Sequence, residues 1–337
     1  MRSFSYARPS TLTEAAGLAS SRMQAPPPLS PVQFIAGGTN MADYMKLNVQ
    51  RPEGLADLNG LDDAALRRIE LRDKGLRFGA LVRMAAAAGH ERIKKDYPVI
   101  AESLMLAASQ QIRNMASLGG NVLQRTRCEY FRETSWPCNK RDPGSGCSAL
   151  DGVNRQHAVL GVSEDCIATY HGDFAQALIA LDAVVHVEGR GGKRDIPFAE
   201  LHRQPGNTPH VETVLTQDEI IAAITVSSGP WPRSRYVKVR DRDSYAFAMA
   251  SAAVALDLDG ETVREARIAL GGLATVPWRA REAEAILKGG RLTEARAEEA
   301  ATASFAEARG RGHNAFKIPL GRATLVRALL ETRDMKV

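Results

Sequence analysis

Residues 34–41 read Phe34-Ile35-Ala36-Gly37-Gly38-Thr39-Asn40-Met41, a strand that ends directly in two glycines and two hydrogen-bonding side chains. Backbone N–H groups in such a turn can form an anion-binding nest, and glycine lets phosphate oxygens approach without meeting a Cβ atom. A plain strand-to-loop turn also accounts for these residues, and turn chemistry alone favours it. The stretch therefore predicts a phosphate site only together with a second signal.

A second glycine loop, preceded by Gln111-Ile112-Arg113-Asn114-Met115, supplies that signal about 80 residues later: Ala116-Ser117-Leu118-Gly119-Gly120-Asn121. It again sets small residues and glycines between Ser and Asn. It has neither the Gly-x-Gly-x-x-Gly pattern of a Rossmann site nor the Lys-Ser/Thr of a P-loop. With two such loops, phosphate or dinucleotide binding becomes as well supported as a structural turn.

The composition bounds the class of protein. The chain has 337 residues, 44% hydrophobic and 25% charged, which is ordinary for globular proteins and predicts two or three compact units. A net charge of +5 is small beside 44 Lys+Arg and 39 Asp+Glu. Aromatic residues make up 6% of the chain, and no nucleic-acid-binding signature accompanies them. We therefore expect no nucleic-acid partner.

The chain carries no apolar signal segment at its N-terminus, and no window approaches the roughly 18 apolar residues that a membrane span needs. We expect no membrane span and, from this sequence alone, a cytoplasmic protein. Export of a folded complex by a signal-bearing partner would instead place the chain in the periplasm.

Periodicity and turn residues predict an α+β chain. We predict helices over residues 11–19, 82–95, 99–110, 173–182, 278–287, 293–308 and 321–331, and strands over residues 32–36, 55–58, 68–71, 76–79, 184–187, 194–196, 218–226, 236–240, 249–258 and 265–270. Asp73-Lys74-Gly75 is predicted as a hairpin turn, and Asp173 as an N-cap or first-turn acid. Residues 227–232 read as a linker.

The four cysteines, Cys128, Cys138, Cys147 and Cys166, lie within 39 residues of one another. They bracket residues 124–156, where periodicity disappears over about twice the ~15 residues that a structureless loop in a compact domain usually reaches. Something other than a hydrophobic core must hold this segment. We infer that the cysteines share one ligand.

Four interpretations of the cysteines stay open: free thiols, two disulfides, a structural zinc ion and a [4Fe–4S] cluster. Disulfides usually need an oxidising compartment and a small domain, and structural zinc generally uses a Cys-x₂₋₄-Cys pair, which the chain lacks. A cluster needs four thiolates but no such pair, so it ranks modestly above zinc. Arg125, Arg127, Arg132, Lys140 and Arg141 would offset its negative charge, although a solvated loop would also be charged.

Taken together, the segments resemble the FAD-binding subunit of the molybdenum hydroxylases, the xanthine dehydrogenase and aldehyde oxidoreductase family. The resemblance covers nearly the whole chain, from Phe4-Ser5-Tyr6 to the helices after Pro277-Trp278-Arg279. It rests on both glycine loops, on Asp173 before Ala177-Leu178 and Leu181-Asp182-Ala183, and on Tyr236-Val237-Lys238-Val239-Arg240.

The resemblance implies a two-subdomain FAD-binding fold of the vanillyl-alcohol-oxidase/PCMH type, followed by a C-terminal three-stranded sheet with helices. The first FAD-binding subdomain would span residues 1–60. The second would span 61–226 and carry a [4Fe–4S] loop at about 122–168, and a domain like the C-terminal domain of CO dehydrogenase flavoproteins would span 233–337.

The resemblance also implies a set of FAD-binding residues: Phe34, Ile35, Ala36, Gly37, Gly38, Thr39, Asn40, Met41, Ala116, Ser117, Gly119, Gly120, Asn121, Asp173, Ile220 and Lys238. The glycine loops would hold the pyrophosphate, Asp173 would accept hydrogen bonds from sugar or ribityl hydroxyls, and Ile220 and Lys238 would lie near the isoalloxazine. Judged from the residues alone, Lys238 could point a cation at a cofactor, although most lysines in such a strand lie on a solvent-exposed face. The family commonly has Pro-Ser-Asp where this chain has His171-Gly172-Asp173, so a Ser contact to FAD is missing.

Within the family, the cysteine window is similar to the insertion that holds an additional [4Fe–4S] cluster, and it is closest to the aldehyde oxidoreductase type. The cluster ligands implied are Cys128, Cys138, Cys147 and Cys166. The implied partners are a molybdopterin-binding large subunit and a [2Fe–2S] small subunit, with aldehyde oxidation on the former and an external acceptor taking electrons from FAD. A stand-alone flavin oxidoreductase and a zinc-stabilised scaffold without redox work are the alternatives.

Overall fold

A computed structural model describes residues 1–20, 25–72 and 75–337. The predicted turn at Asp73-Lys74-Gly75 falls partly outside these ranges. The strands are β1 (Ser5–Ala7), β2 (Val32–Ile35), β3 (Gly54–Asp57), β4 (Ile69–Arg72), β5 (Gly75–Gly79), β6 (Val184–Gly189), β7 (Gly192–Pro197), β8 (Ile220–Val226), β9 (Ser234–Val239), β10 (Ala250–Asp259), β11 (Thr262–Gly271) and β12 (Trp278–Arg279).

The α-helices are α1 (Leu12–Ala19), α2 (Met41–Lys46), α3 (Met84–Gly89), α4 (Glu91–Asp96), α5 (Pro98–Met105), α6 (Gln110–Met115), α7 (Leu118–Val122), α8 (Glu129–Arg132), α9 (Phe174–Ala180), α10 (Phe198–Leu201), α11 (Arg281–Leu287), α12 (Glu294–Ala303) and α13 (Lys317–Arg333). The mixed α+β class is as predicted.

The first sheet is small and parallel, in the order β1-β3-β2. Its strands are short, and α1 packs on them with Thr11 as N-cap, because the Thr11 hydroxyl accepts a hydrogen bond from the Glu14 N–H at 3.1 Å. Strand β2 ends at Ile35, so the first glycine loop leaves the edge where the parallel strands finish.

The second sheet has five antiparallel strands in the order β4-β5-β8-β6-β7. Helix α9 lies in the same core and is buried along its whole length. The second glycine loop precedes α7, which contacts both β5 and β8. The sheet therefore fixes the position of that loop.

The third sheet is antiparallel and has four strands, in the order β12-β11-β10-β9, with α11 to α13 packed near it. The three predicted strands are present. The fourth, Trp278–Arg279, was predicted as the start of a helix, and that prediction was wrong because Trp278 pairs with Leu270 and the helix begins at Arg281.

Several predicted helix bounds also differ. The helix predicted over 82–95 is two helices, α3 and α4, because His90 between them is extended. Helix α5 ends at Met105, earlier than predicted, and α13 begins at Lys317, earlier than predicted. Residues 110–115 form a short helix beyond the point where the predicted helix ended, and residues 118–122 form another where a glycine loop was predicted.

The largest hydrophobic core joins the second and third sheets. Leu76 and Phe78 of β5 belong to the same buried cluster as Tyr236 of β9 and Ala253 of β10. A second core lies between the third sheet and the C-terminal helices. The division into domains at residues 60 and 226 stays a prediction, whereas the core shows how closely these parts pack.

Candidate functional site

A cavity of about 900 Å³ lies where the first sheet, α7, the cysteine segment and residues 245–247 meet. Ligand sites in proteins usually measure about 300–1,000 Å³, so the volume suits a large cofactor. Thirteen of the predicted FAD-binding residues line it: Phe34, Ile35, Ala36, Gly37, Gly38, Thr39, Asn40, Met41, Ala116, Ser117, Gly120, Asn121 and Asp173.

The first glycine loop needs both of its glycines. A Cβ on Gly37 would lie 2.1 Å from the backbone oxygen of Met115, so only glycine lets the two loops approach this closely. Gly38 has φ = +72°, in the left-handed region that favours glycine. The N–H groups of Gly37, Gly38, Thr39 and Asn40 donate to no atom of the described chain. Four free donors therefore lie at the wall of the cavity.

The second loop begins α7 through Ser117, whose hydroxyl accepts a hydrogen bond from the Gly120 N–H at 3.3 Å. The two loops touch, because the Asn40 side-chain amide donates to the Gly120 carbonyl at 3.4 Å. The Asn121 Oδ1 atom is buried and has no hydrogen-bond partner among the described residues. A buried acceptor at the cavity wall costs free energy unless a ligand satisfies it, so the site fits a polar cofactor.

Gly119 does not line the cavity as the described residues define it, although it stands beside Gly120 in sequence. Its N–H donates to the Ala80 carbonyl at 2.9 Å, and an added Cβ would lie 3.0 Å from the Ala80 Cβ. This glycine therefore allows α7 to pack on the end of β5. Its predicted contact with the cofactor has no counterpart in the cavity wall.

Asp173 is buried at the cavity wall and precedes α9, but its carboxylate accepts no capping hydrogen bond from that helix in the described structure. Instead, Oδ2 pairs with the Lys238 ammonium at 2.8 Å and Oδ1 accepts from the Tyr236 hydroxyl at 2.6 Å. Burial, reinforced by Asp173, raises the pKa of Tyr236 well above its ordinary value, so the phenol stays a donor.

Lys238 and Ile220 were predicted beside the isoalloxazine, but neither lines the cavity within the described part of the chain. The Lys238 side chain is 1% exposed, so it does not lie on a solvent-exposed strand face. Its ammonium donates to the Leu106 carbonyl at 3.0 Å as well as to Asp173. Ile220 packs in the apolar cluster of Leu58 and Leu66. Lys238 therefore reaches the cavity only through Asp173.

Sequence reasoning missed several cavity residues. Tyr44 on α2 and Tyr245 and Phe247 after β9 line the wall, and Glu212 does so from an irregular segment. Tyr245 has φ = +52°, which is uncommon for a residue with a side chain. No local pattern marks these positions, because the fold brings together segments that lie far apart in the chain.

Cys128, Cys138 and Cys166 lie in one small buried cluster with Phe131, Ile167 and Ala168, and the half-buried Cys147 packs against it. They are free thiols in the described structure, and Cys138 and Cys147 face each other across an isolated β-bridge. In the described ranges, no group of three or more His, Cys, Asp or Glu side chains is arranged to hold a metal ion. The segment around them is irregular apart from α8 and short turns, as predicted.

Donor groups surround the buried sulfur atoms. Burial raises the pKa of Cys128, and it raises the pKa of Cys166 to about 11. Backbone N–H groups oppose these rises, including that of Ala168, 3.5 Å from the Cys166 sulfur. The His157 Nε2 atom lies 3.1 Å from the Cys128 sulfur. These groups would stabilise thiolates if a metal replaced the thiol protons.

Of the five basic residues predicted to offset a cluster's charge, three have carboxylate partners. Arg125 and Lys140 share Glu212, at 2.9 and 3.4 Å, and Arg132 pairs with Asp43 at 2.6 Å. Burial of Glu212 favours its neutral form, but Arg125 and Lys140 outweigh burial and hold the pKa of this carboxyl below its usual range. Lys140 also opposes the rise that burial causes in the pKa of Cys166.

The remaining two basic residues have different surroundings. Arg141 donates to the backbone carbonyls of Tyr130 and Phe131, both at 2.8 Å, and so fixes the end of α8. Arg127 lines the cavity.

Comparison with known proteins identifies the class. Residues 2–228 match the family described as the FAD-binding domain in molybdopterin dehydrogenase, and residues 235–332 match the CO dehydrogenase flavoprotein C-terminal domain. The chain is therefore an FAD-binding protein of the oxidoreductase kind. It belongs to the FAD-binding subunits of the molybdenum hydroxylase family.

Individual relatives agree with this assignment. The chain is 46% identical over 335 residues to the aldehyde oxidoreductase FAD-binding subunit PaoB of Escherichia coli K12, covering 99% of both chains. It is 26% identical over 300 residues to the nicotine 6-hydroxylase medium subunit of Paenarthrobacter nicotinovorans, covering 88% of this chain and 84% of that one. Reconstituted CO dehydrogenase from Oligotropha carboxidovorans shares the fold, with a TM-score of 0.75, 22% identity and 98% coverage of both chains.

The predicted family and fold class are thus confirmed. The names of both curated relatives describe a subunit of an enzyme. Among the described residues, no helix combines the length and apolar character that crossing a bilayer requires.

Proposed function

We propose that this chain is the FAD subunit of a heterotrimeric molybdenum-containing aldehyde oxidoreductase and passes electrons from aldehyde oxidation to an external acceptor. The observation that carries the proposal is the 46% identity, over 99% of both chains, to an aldehyde oxidoreductase FAD-binding subunit. The partners would be a molybdopterin-binding large subunit and a [2Fe–2S] small subunit. The aldehyde would react on the large subunit, outside this chain.

Bound FAD would supply a carrier that accepts electrons and releases them to the acceptor. The chain's own residues would bind and orient it. The free N–H groups of Gly37 to Asn40 would hold the pyrophosphate with Ser117, and the unpaired Asn121 Oδ1 would accept one hydrogen bond from the cofactor. Asp173, fixed by Lys238 and Tyr236, would keep a charged acceptor at the wall for a hydroxyl group.

We further propose that Cys128, Cys138, Cys147 and Cys166 bind one [4Fe–4S] cluster. The support is chemical: three buried free cysteines share one cluster with Cys147 packed against it, and N–H donors oppose the cost of forming thiolates there. A single zinc ion holds its sulfur ligands about 2.3 Å from one centre, which demands closely converging side chains. A [4Fe–4S] cluster needs four cysteine thiolates but no short Cys-x₂₋₄-Cys pair, and the chain has no such pair.

The test is a UV-visible spectrum with flavin, iron and zinc quantitation on the purified protein and on any subunits that co-purify. We expect two partner subunits to co-purify, one FAD per chain, and about four irons per chain in this chain alone, with further iron from the [2Fe–2S] subunit when it is present. Absence of flavin would refute the proposal for FAD. About one zinc without iron would support the zinc-stabilised scaffold, and aldehyde oxidation by this chain alone would support the stand-alone flavin enzyme.

A further inference from the structure

Arg127 occupies a distinctive place in the cavity. It immediately precedes Cys128, yet its half-buried side chain lines the cavity rather than the cysteine cluster. The guanidinium carbon lies 5.6 Å from the centre of the Tyr44 ring and 5.5 Å from the centre of the Phe247 ring. Two aromatic rings from distant segments therefore fix the orientation of this cation.

Hydrogen bonds fix it further. One terminal nitrogen, Nη1, donates to the Tyr44 hydroxyl at 3.0 Å and to the Arg125 carbonyl at 2.7 Å, and Nη2 donates to the Asn40 Oδ1 at 2.8 Å. A guanidinium has five N–H donors. The Nε–H and one N–H of Nη2 thus have no partner among the residues that the structure describes.

Arg127 also differs from the other arginines at the cavity wall in its charge balance. Arg125 pairs with Glu212 and Arg132 with Asp43, whereas Arg127 forms no ion pair with any described carboxylate. Both Asp43 oxygens accept hydrogen bonds from Arg132, at 2.6 and 3.0 Å. The positive charge of Arg127 is therefore left for a ligand to neutralise.

The location indicates which ligand group that is. Asn40, which holds Nη2, also donates to the Gly120 carbonyl, so Arg127 stands beside the junction of the two glycine loops. The free N–H groups of Gly37 to Asn40 lie on the same loop. A planar guanidinium with free donors and an adjacent row of free backbone donors match the oxygens of a phosphate group.

We propose that Arg127 binds the diphosphate of FAD through its free N–H donors, oriented for that contact by Tyr44, Phe247 and Asn40. The inference rests on FAD binding in this cavity. It makes Arg127, rather than Lys238, the cation that contacts the cofactor. Because Arg127 adjoins Cys128, it also ties the start of the cysteine segment to the flavin site.

The experiment measures dissociation constants of FAD and of ADP, which carries the diphosphate without the flavin, on the full chain in its native assembly after flavin removal. Arg127→Gln should raise both dissociation constants at least tenfold. Arg127→Lys should raise both by a smaller factor, because lysine keeps the positive charge but lacks the planar set of guanidinium N–H donors. The matched control is Arg155→Gln. The guanidinium carbon of Arg155 also lies near an aromatic ring, 5.1 Å from the centre of the Phe316 ring, but Arg155 does not line the described cavity.

Each outcome decides the assignment. Unchanged affinities for both ligands in the two Arg127 variants would overturn it. Weakened FAD with unchanged ADP would place Arg127 at the flavin end and would also overturn it. An equal loss in Arg155→Gln would show a general charge effect and reject the specific contact. Wild-type protein that binds no FAD at all would instead refute the proposed function.

Discussion

The buried ion pair between Asp173 and Lys238 allows a quantitative prediction. The two side chains are 4% and 1% exposed, and their charged atoms lie 2.8 Å apart. Removing one partner of such a pair leaves an uncompensated buried charge, which costs about 3–5 kcal/mol. We therefore expect Lys238→Met and Asp173→Asn each to lower the free energy of unfolding by about 3–5 kcal/mol.

The double variant separates the pair from other causes. With both charges removed, no buried charge is left, so Asp173→Asn/Lys238→Met should be much less destabilised than the sum of the single variants. We expect a coupling free energy of at least about 2 kcal/mol. Tyr236→Phe removes the second hydrogen bond to Asp173 together with the contact between the phenol and the Ser251 hydroxyl at 2.8 Å, and it should cost about 1–3 kcal/mol.

Urea unfolding of the isolated chain, followed by far-UV circular dichroism and flavin fluorescence, measures these values. Arg327→Met is the matched control, because Arg327 pairs with Glu331 at 2.6 Å on the exposed face of a helix. It should cost no more than about 0.5 kcal/mol. If Lys238→Met changed stability no more than this control, the reasoning about the buried pair would be refuted.

Three further predictions follow from other sites. Cys147→Ser should lower iron content and solubility more than flavin content, and unchanged iron per chain would remove Cys147 from the ligand set. Gly37→Ala should destabilise the chain by about 1–3 kcal/mol and weaken FAD binding, because the added Cβ would clash with the Met115 backbone. Gly17→Ala is the control, because Gly17 lies on an open helix face, and it should instead stabilise the chain by about 0.5–1 kcal/mol. Burial lowers the pKa of Lys317 from 10.5 to about 7, so between these values the unfolded chain binds more protons and stability rises with pH. Urea titrations across pH 7–10 should show this rise in the wild type and lose it in Lys317→Met.

Local sequence was sufficient for the parts of the site that depend on local backbone geometry. The strand before Gly37 follows from its residue types. The close approach of the Met115 backbone to Gly37 also follows from residue type, because only glycine has no Cβ. The irregular cysteine segment was likewise visible as a loss of periodicity. These features need no knowledge of distant residues.

Features set by tertiary packing could not be predicted. Gly119 and Gly120 have the same local setting, yet Gly119 packs against Ala80 while Gly120 lines the cavity. Asp173 has the sequence position of an N-cap for α9, but its partner Lys238 lies on β9 of the third sheet, far away in the sequence. Where the local sequence allows a residue either to line the cavity or to pack in the core, tertiary contacts determine which of the two it does.

The core shared by the second and third sheets has a consequence for the modularity of this chain. The first matched family region ends at residue 228 and the second begins at residue 235, a division that suggests two interchangeable modules. Yet Tyr236 and Ala253 lie in the same core as Leu76, and Glu102 accepts a hydrogen bond from the Tyr236 N–H at 2.7 Å. A truncated chain ending near residue 228 would expose this apolar surface. It would also leave the Asp173 carboxylate without its partners Tyr236 and Lys238. Exchange of one region with a relative's would therefore have to include the other, because the two share this core.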